Sequence, residues 1–290
     1  MAGIKGQKGS RLFQFFNYLL LTVFGFLMVV PFFSVLAASL SSRYAVDTKR
    51  VFIFPVEFTF ASWEYIFSFN TLWRSLGLTA LVTLIGTFLA LLINALAAYP
   101  LSKKDFGPGK VLLMGIVISM IFKSPAIPYF LTLNALGLYD NFWVLILPHL
   151  IMSYNLIILI TFLRQVPKEL EESAMIEGCG YLRILFSIIL PSSKAAFATV
   201  GLFYAVMIWN QFSAPLWFIQ NHKLYPLQLL IRSYISDAEV PTTYNVSAVL
   251  YNDKTVKAAV VIFSVLPIII VYPYLQKYFI KGAMIGSVKG

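Results

Sequence analysis

The side chains best able to do chemistry are gathered in Glu171–Pro191, which reads EESAMIEGCGYLRILFSIILP and holds Glu171, Glu172, Glu177, two glycines and Cys179. Carboxylates set this close serve acid–base catalysis or metal binding when histidines, thiols or further carboxylates complete the set. Nothing completes it here. The chain has two histidines, His149 and His222, and no His-Glu-x-x-His spacing. No Asp or Glu falls within its long apolar runs, so no catalytic residue and no metal site are expected. There is no GxxxxGK[ST] loop either, and the chain is therefore expected not to hydrolyse ATP. The lone thiol, Cys179, excludes an internal disulfide and reads as structural.

The elements that must position these carboxylates are membrane helices. Of 290 residues, 59% are hydrophobic and 12% charged, against roughly 25% charged in a soluble domain. Six runs are long enough to cross a hydrocarbon core, which takes ~20 residues. They are Leu12–Leu40, Leu76–Tyr99, Val111–Leu133, Phe142–Leu163, Ala195–Ile219 and Ala258–Gln276. A backbone in lipid must satisfy its own hydrogen bonds, so the runs are helices. The uncharged start, Leu12 to Ser42, outlasts a signal peptide's apolar core and reads as a retained first span. The expectation is an all-α, multi-pass membrane protein, one transmembrane domain over 1–290, with a loop 164–194 between spans four and five and a tail 277–290.

Lys and Arg placement orients the bundle. Thirteen of the 22 basic residues and five of the 12 acidic ones lie on the side of the termini, which is expected to be cytoplasmic. The net charge of +10 is thus a topology signal, and a nucleic-acid role is excluded on that account.

In the loop, Pro167 suits a helix start and Glu169, Glu171 and Glu172 favour its N-terminal end. Leu170, Ser173 and Ala174 lie on one side at helical spacing, and Gly178 and Gly180 break the helix around Cys179. A second short helix, Tyr181–Leu190, presents Leu182, Leu185, Ile188 and Ile189 before Pro191. Such a helix-turn-helix can seat in a cleft of a partner protein or lie among lipid headgroups. Its acidic face favours the partner, because anionic lipids repel carboxylates.

The motif within the loop resembles the cytoplasmic signature of permease subunits of binding-protein-dependent ABC importers: EAA, three residues, Gly, nine residues, Ile, one residue, Leu-Pro. Glu172-Ser173-Ala174, Gly178, Ile188, Leu190 and Pro191 keep that spacing, with Ser for the first Ala. The resemblance extends to NALAAYPLSKKDFGPGK, GLYDN, WNQF, PLQLLIRSY and the tail KYFIKGAMIGSVKG, which look like carbohydrate permeases of the maltose-transporter second-subunit type. It implies a type I ABC importer permease fold with six transmembrane helices, in the bacterial cytoplasmic (inner) membrane, both termini cytoplasmic. The loop would be the coupling helix seated in an ATPase subunit. The implied partners are a second homologous permease, two ATPase subunits and an extracytoplasmic solute-binding protein, with membrane lipid around the bundle. ATP and Mg would bind the ATPases, leaving this chain without a cofactor. By resemblance the tail also reaches toward the ATPase pair, whereas its residues alone read as a frayed terminus.

Alternating access needs a polar path near the midplane. Candidates are Lys123, Tyr154, Asn155, Tyr204, Trp209, Asn210 and Gln211; Asn94 and Ser153 are also polar within spans. Each can equally be glue between helices. Lys123, followed by Pro125 and Pro128 in KSPAIP, reads as an interrupted helix whose cation faces a structural partner or an anionic solute. With the tail it leans toward the oligosaccharide branch that includes importers of alginate or pectin fragments. Outside the membrane, Leu224–Ile235 reads as a receptor-facing shelf or a plain loop. A secondary transporter or channel working without an ATPase is the alternative. It would usually place carboxylate pairs or charge rings in the membrane, which this sequence lacks.

Overall fold

The structure, a computed structural model, describes residues 7–122, 124–236 and 252–287. Among them every regular element is helical, and an isolated bridge between Ser41 and Phe58 supplies the strand-like pairing. Two compact units form, one within Met1–Asn70 and Ser233–Leu266, the other within Thr71–Arg232 and Pro267–Gly290.

In the first unit, α1 (Gln7–Ser39) is one uninterrupted helix that carries Pro31. Its side chains from Phe13 to Val29 are exposed, as suits a helix solvated by lipid. Two short helices follow, α2 (Arg43–Asp47) and α3 (Ala61–Phe67). Ser42 caps α2 by accepting from Ala45 N–H, and the Trp63 indole donates to Ser39 Oγ at 3.3 Å, pinning α3 to the end of α1.

The second unit is organised by α4 (Asn70–Ser102). The chain then forms α5 (Gly109–Ile121) and α6 (Ala126–Ala135), bent by 119° at the KSPAIP segment. Pro125 explains the stop, since the residue before a proline is pushed out of the helical region. Lys123 itself lies outside the described residues.

Span four was expected as one helix over Phe142–Leu163. It is instead two 3₁₀ turns, Phe142–Leu145 and Leu147–His149, followed after a break by α7 (Ser153–Leu163) at 47°. Pro148 has no N–H to continue a ladder, and 3₁₀ turns do not sustain long runs. Span five also differs from the continuous Ala195–Ile219 expected from hydropathy. The loop contributes α8 (Lys168–Ile176), α9 (Tyr181–Ile184), a π-helical turn Leu185–Ile189 and α10 (Leu190–Ser192). After an 86° bend, α11 (Lys194–Trp209) runs to an irregular 210–212 and a short α12 (Ser213–Phe218). Helix α11 lies close against α4: a Cβ on Gly86 would meet Ile208 Cδ1 at 2.8 Å.

The segment expected as a shelf or loop is helix α13 (Leu227–Ser236). Leu227, Leu230 and Ile231, at helical spacing, are buried, and Thr79 of α4 accepts the Leu227 N–H at 2.8 Å. The last helix, α14 (Asp253–Ser287), runs past the expected end of span six through most of the tail, so residues 277–287 are helical rather than frayed. Among the described residues, three helices are long and apolar enough to cross a membrane, and three bent pairs reach that length together.

Candidate functional site

The loop that carries the carboxylates is built into the bundle rather than hung from it. Ala174 of α8 and Ile184, Leu185 and Ile189 beyond it are buried in one cluster with Ala98, Tyr99 and Leu101 of α4, Leu159 and Leu163 of α7, and Phe197 and Tyr204 of α11. Ile188 and Leu190 pack on that cluster, and Pro191 is exposed in α10. Helix α10 continues one residue past Pro191.

Gly178 ends α8 with φ +81°. Cys179 N–H bonds to Ala174 O at 2.9 Å and Gly178 N–H to Met175 O at 3.0 Å. This pair is a Schellman cap, which needs a left-handed residue at that position. The cap turns Cys179, half-buried, back against the same cluster as Ala174.

The glutamates divide between two faces. Glu172 and Ser173 are exposed, beside Leu170, Met175 and Ile176, and Tyr181 and Leu182 extend this mixed surface. Glu171, expected to offer charge outward with its neighbours, is buried instead. Its carboxylate accepts from the Tyr99 hydroxyl and pairs with the Lys103 ammonium. That ammonium also lies 4.7 Å over the Tyr99 ring, and Arg164 donates to Leu101 O at 3.3 Å. Burying a carboxylate is costly unless it is paired and hydrogen-bonded, and Tyr99 and Lys103 meet that condition. Neither was singled out from sequence. The signal was present: Glu171 precedes the small residue Ala174 by three positions, hence shares its inward face, and Tyr99 and Lys103 are four residues apart, the first in the last turn of α4 and the second just past its end.

The described polar residues proposed for a path lie at or beside two breaks. At the break of span four, Asn94 donates to Leu150 O at 2.8 Å and Tyr204 Oη accepts Met152 N–H at 2.9 Å. Asn155, also buried, places its amide 3.9 Å from Met152 Sδ. A break in a membrane helix frees backbone groups that neighbouring helices must satisfy, and Asn94 and Tyr204 do this here. Tyr154 is exposed.

At the break after α11, Asn210 is exposed and bonds back to Val206 O at 2.8 Å. The buried Trp209 Nε1 and Gln211 Oε1 have no hydrogen-bond partner among the described residues. Among the described residues no group of three His, Cys, Asp or Glu side chains could hold a metal ion.

Comparison with known proteins agrees with this architecture. The model of the binding-protein-dependent transport system inner membrane component family matches residues 110–284. Protein LplC of Bacillus subtilis (strain 168) is 39% identical, with 98% of this chain and 97% of LplC covered. The polygalacturonan/rhamnogalacturonan transport system permease protein YtcP of the same organism is 38% identical, with 97% and 99% covered. A chain in the crystal structure of a bacterial ABC transporter involved in the import of the acidic polysaccharide alginate superposes with a TM-score of 0.90 at 29% identity, covering 96% of this chain and 100% of that one. A helical chain with three bent helix pairs, a loop buried into its bundle and matches along nearly its whole length lead to one assignment: it belongs to the family of binding-protein-dependent transport system inner membrane components.

Proposed function

We propose that this chain is the permease subunit of an ATP-driven, binding-protein-dependent importer of acidic oligosaccharides, with uronate-containing pectin fragments as the favoured class. The observation that carries the sugar class is the end-to-end, 38% identical match to a polygalacturonan/rhamnogalacturonan permease. The fold likeness to a chain from an alginate importer points the same way.

In this reading the three uninterrupted helices and the three bent pairs are six spans. The termini and the loop 164–194 face the cytoplasm. The exposed surface of Leu170, Glu172, Met175, Ile176 and Leu182 fits a cleft of an ATPase subunit, since an amphipathic helix seats its apolar side chains in such a groove. Two ATPases bind ATP and Mg. A second, homologous permease closes the path, and an extracytoplasmic receptor delivers the sugar. The broken spans supply backbone and side-chain polar groups near the midplane, as alternating access requires.

The test is reconstitution of the full complex in liposomes with loaded receptor. Oligogalacturonate is expected to stimulate ATP hydrolysis and to enter the lumen, and a neutral oligosaccharide of equal length is not. Equal stimulation by both would overturn the acidic preference. Flux through this chain alone, without ATP, would overturn the importer.

A further inference from the structure

Glu171 stands one position before the exposed Glu172 yet faces the opposite way, into the bundle. Its two donors are Tyr99, in the last turn of α4, and Lys103, just past the end of that helix. A grip at two points at the end of a helix fixes rotation as well as distance, whereas apolar contacts alone permit sliding. The donors are tied to each other by the ammonium lying 4.7 Å over the Tyr99 ring. Arg164, at the other end of α8's approach, holds Leu101 O at 3.3 Å, one of the carbonyls that a helix leaves unpaired in its last turn. Less than two turns up the same helix, Asn94 donates to Leu150 O at the break of span four. Contacts therefore run without a gap from α8, through α4, to the point where the span is broken.

We propose that Glu171 is a positioning residue for transport: with Tyr99 and Lys103 it locks α8 to the end of α4, so that a partner displacing α8 moves Asn94 and the Leu150–Met152 break with it. This rests on the reading of the chain as an ATP-driven permease. Glu172 and its neighbours meet the partner; Glu171 carries the displacement inward. Coupling of this kind requires an element whose position both sites bias, and α4 is that element.

The full complex in liposomes tests this by the number of sugar molecules imported per ATP hydrolysed. Tyr99→Phe, which removes one oxygen, and Glu171→Gln, which removes the charge, are each expected to lower that ratio by roughly 5-fold or more, the lower end of ordinary coupling free energies. Lys103→Glu is expected to lower it as well, and the exchanged pair Lys103→Glu with Glu171→Lys to restore part of it. If Glu171→Gln fails to assemble, Tyr99→Phe and the exchanged pair still decide the matter. A wild-type ratio in Tyr99→Phe would overturn the proposal, as would a fall in transport and hydrolysis together at an unchanged ratio, which marks a merely structural role. Absence of receptor-stimulated hydrolysis in the wild-type complex would instead sink the importer reading.

Discussion

The Asn94 side chain donates to the Leu150 carbonyl at 2.8 Å, joining two residues 56 positions apart and sealing the break between the 3₁₀ turns of 142–149 and α7. Replacement by Leu, nearly the same size, leaves that carbonyl without a donor in an apolar setting. The expected cost is about 1–3 kcal/mol, the desolvation penalty of an unmade bond. Tyr204→Phe should cost a similar amount, because Met152 N–H loses its acceptor. Thermal unfolding of the purified protein in detergent checks both. Two unshifted midpoints would mean that the break is not held by these side chains.

The Schellman cap predicts a split between the two loop glycines. Gly178, at φ +81°, has open space where a Cβ would go, so Gly178→Ala costs only backbone strain, about 1–2 kcal/mol. Gly178→Asn should cost less, since Asn tolerates the left-handed region. Gly180 has φ −74° and an equally open Cβ position, so Gly180→Ala should stay within about 0.5 kcal/mol. Hydrogen exchange over 168–180 reads the three variants; equal protection in Gly178→Ala and wild type would contradict the cap.

Close approach of α4 and α11 predicts a compensating pair. A Cβ at position 86 would lie 2.8 Å from Ile208 Cδ1, the far end of a flexible side chain, so Gly86→Ala should be tolerated by a small rotation. Gly86→Val overpacks the contact and is expected to cost about 1–3 kcal/mol. Ile208→Ala in the Gly86→Val background should recover part of that loss. Additive destabilisation of the two changes would show that the residues do not meet.

In the first unit, Lys254 Nζ donates to Asp47 at 3.0 Å. This bond is the main cause that holds the Asp47 carboxyl below its ordinary range; desolvation, the next largest effect, opposes it, and a bond involving Asn252 and the charges of Lys254 and Arg43 add to the lowering. A carboxyl depressed in the folded state adds stability above its unfolded pKa and loses it as pH falls through the folded one. Protection of Arg43–Asp47 from hydrogen exchange should therefore drop as the solution is acidified below the usual carboxylate range. High salt should weaken it at neutral pH, because the pair is exposed. Asp47→Asn should show neither dependence, and a variant that keeps both would reassign the effect to another group.

How much of this was legible beforehand differs from element to element. Helix α4 was read from hydropathy because a charge-free run of that length has one stable form in lipid. The turn at Gly178 was equally plain, since a glycine after a short helix stops it whatever surrounds it. Spans four and five were expected whole, because hydropathy averages over a window and does not register a three-residue interruption whose backbone groups are satisfied from elsewhere. Pro148 was the local hint. Helix α13 was expected as a shelf or a plain loop, because its ten residues are too short and too polar to stand out by hydropathy, while its buried side chains Leu227, Leu230 and Ile231 recur at helical spacing.

The amino-acid sequence alone determined the membrane class, the basic side, the helix-turn-helix of the loop and its family spacing, because composition and local propensity act over a few residues at a time. Only the tertiary structure decided which way each polar group faces. Glu171 and Glu172 are neighbours of one type, and only the arrival of Tyr99, in the last turn of α4, and Lys103, just past it, makes the first a buried tie and leaves the second exposed. Asn94, Tyr204 and the Leu150–Met152 break find one another in the same manner. Burial and hydrogen bonding depend on which helices meet, and that is settled by packing across distant segments.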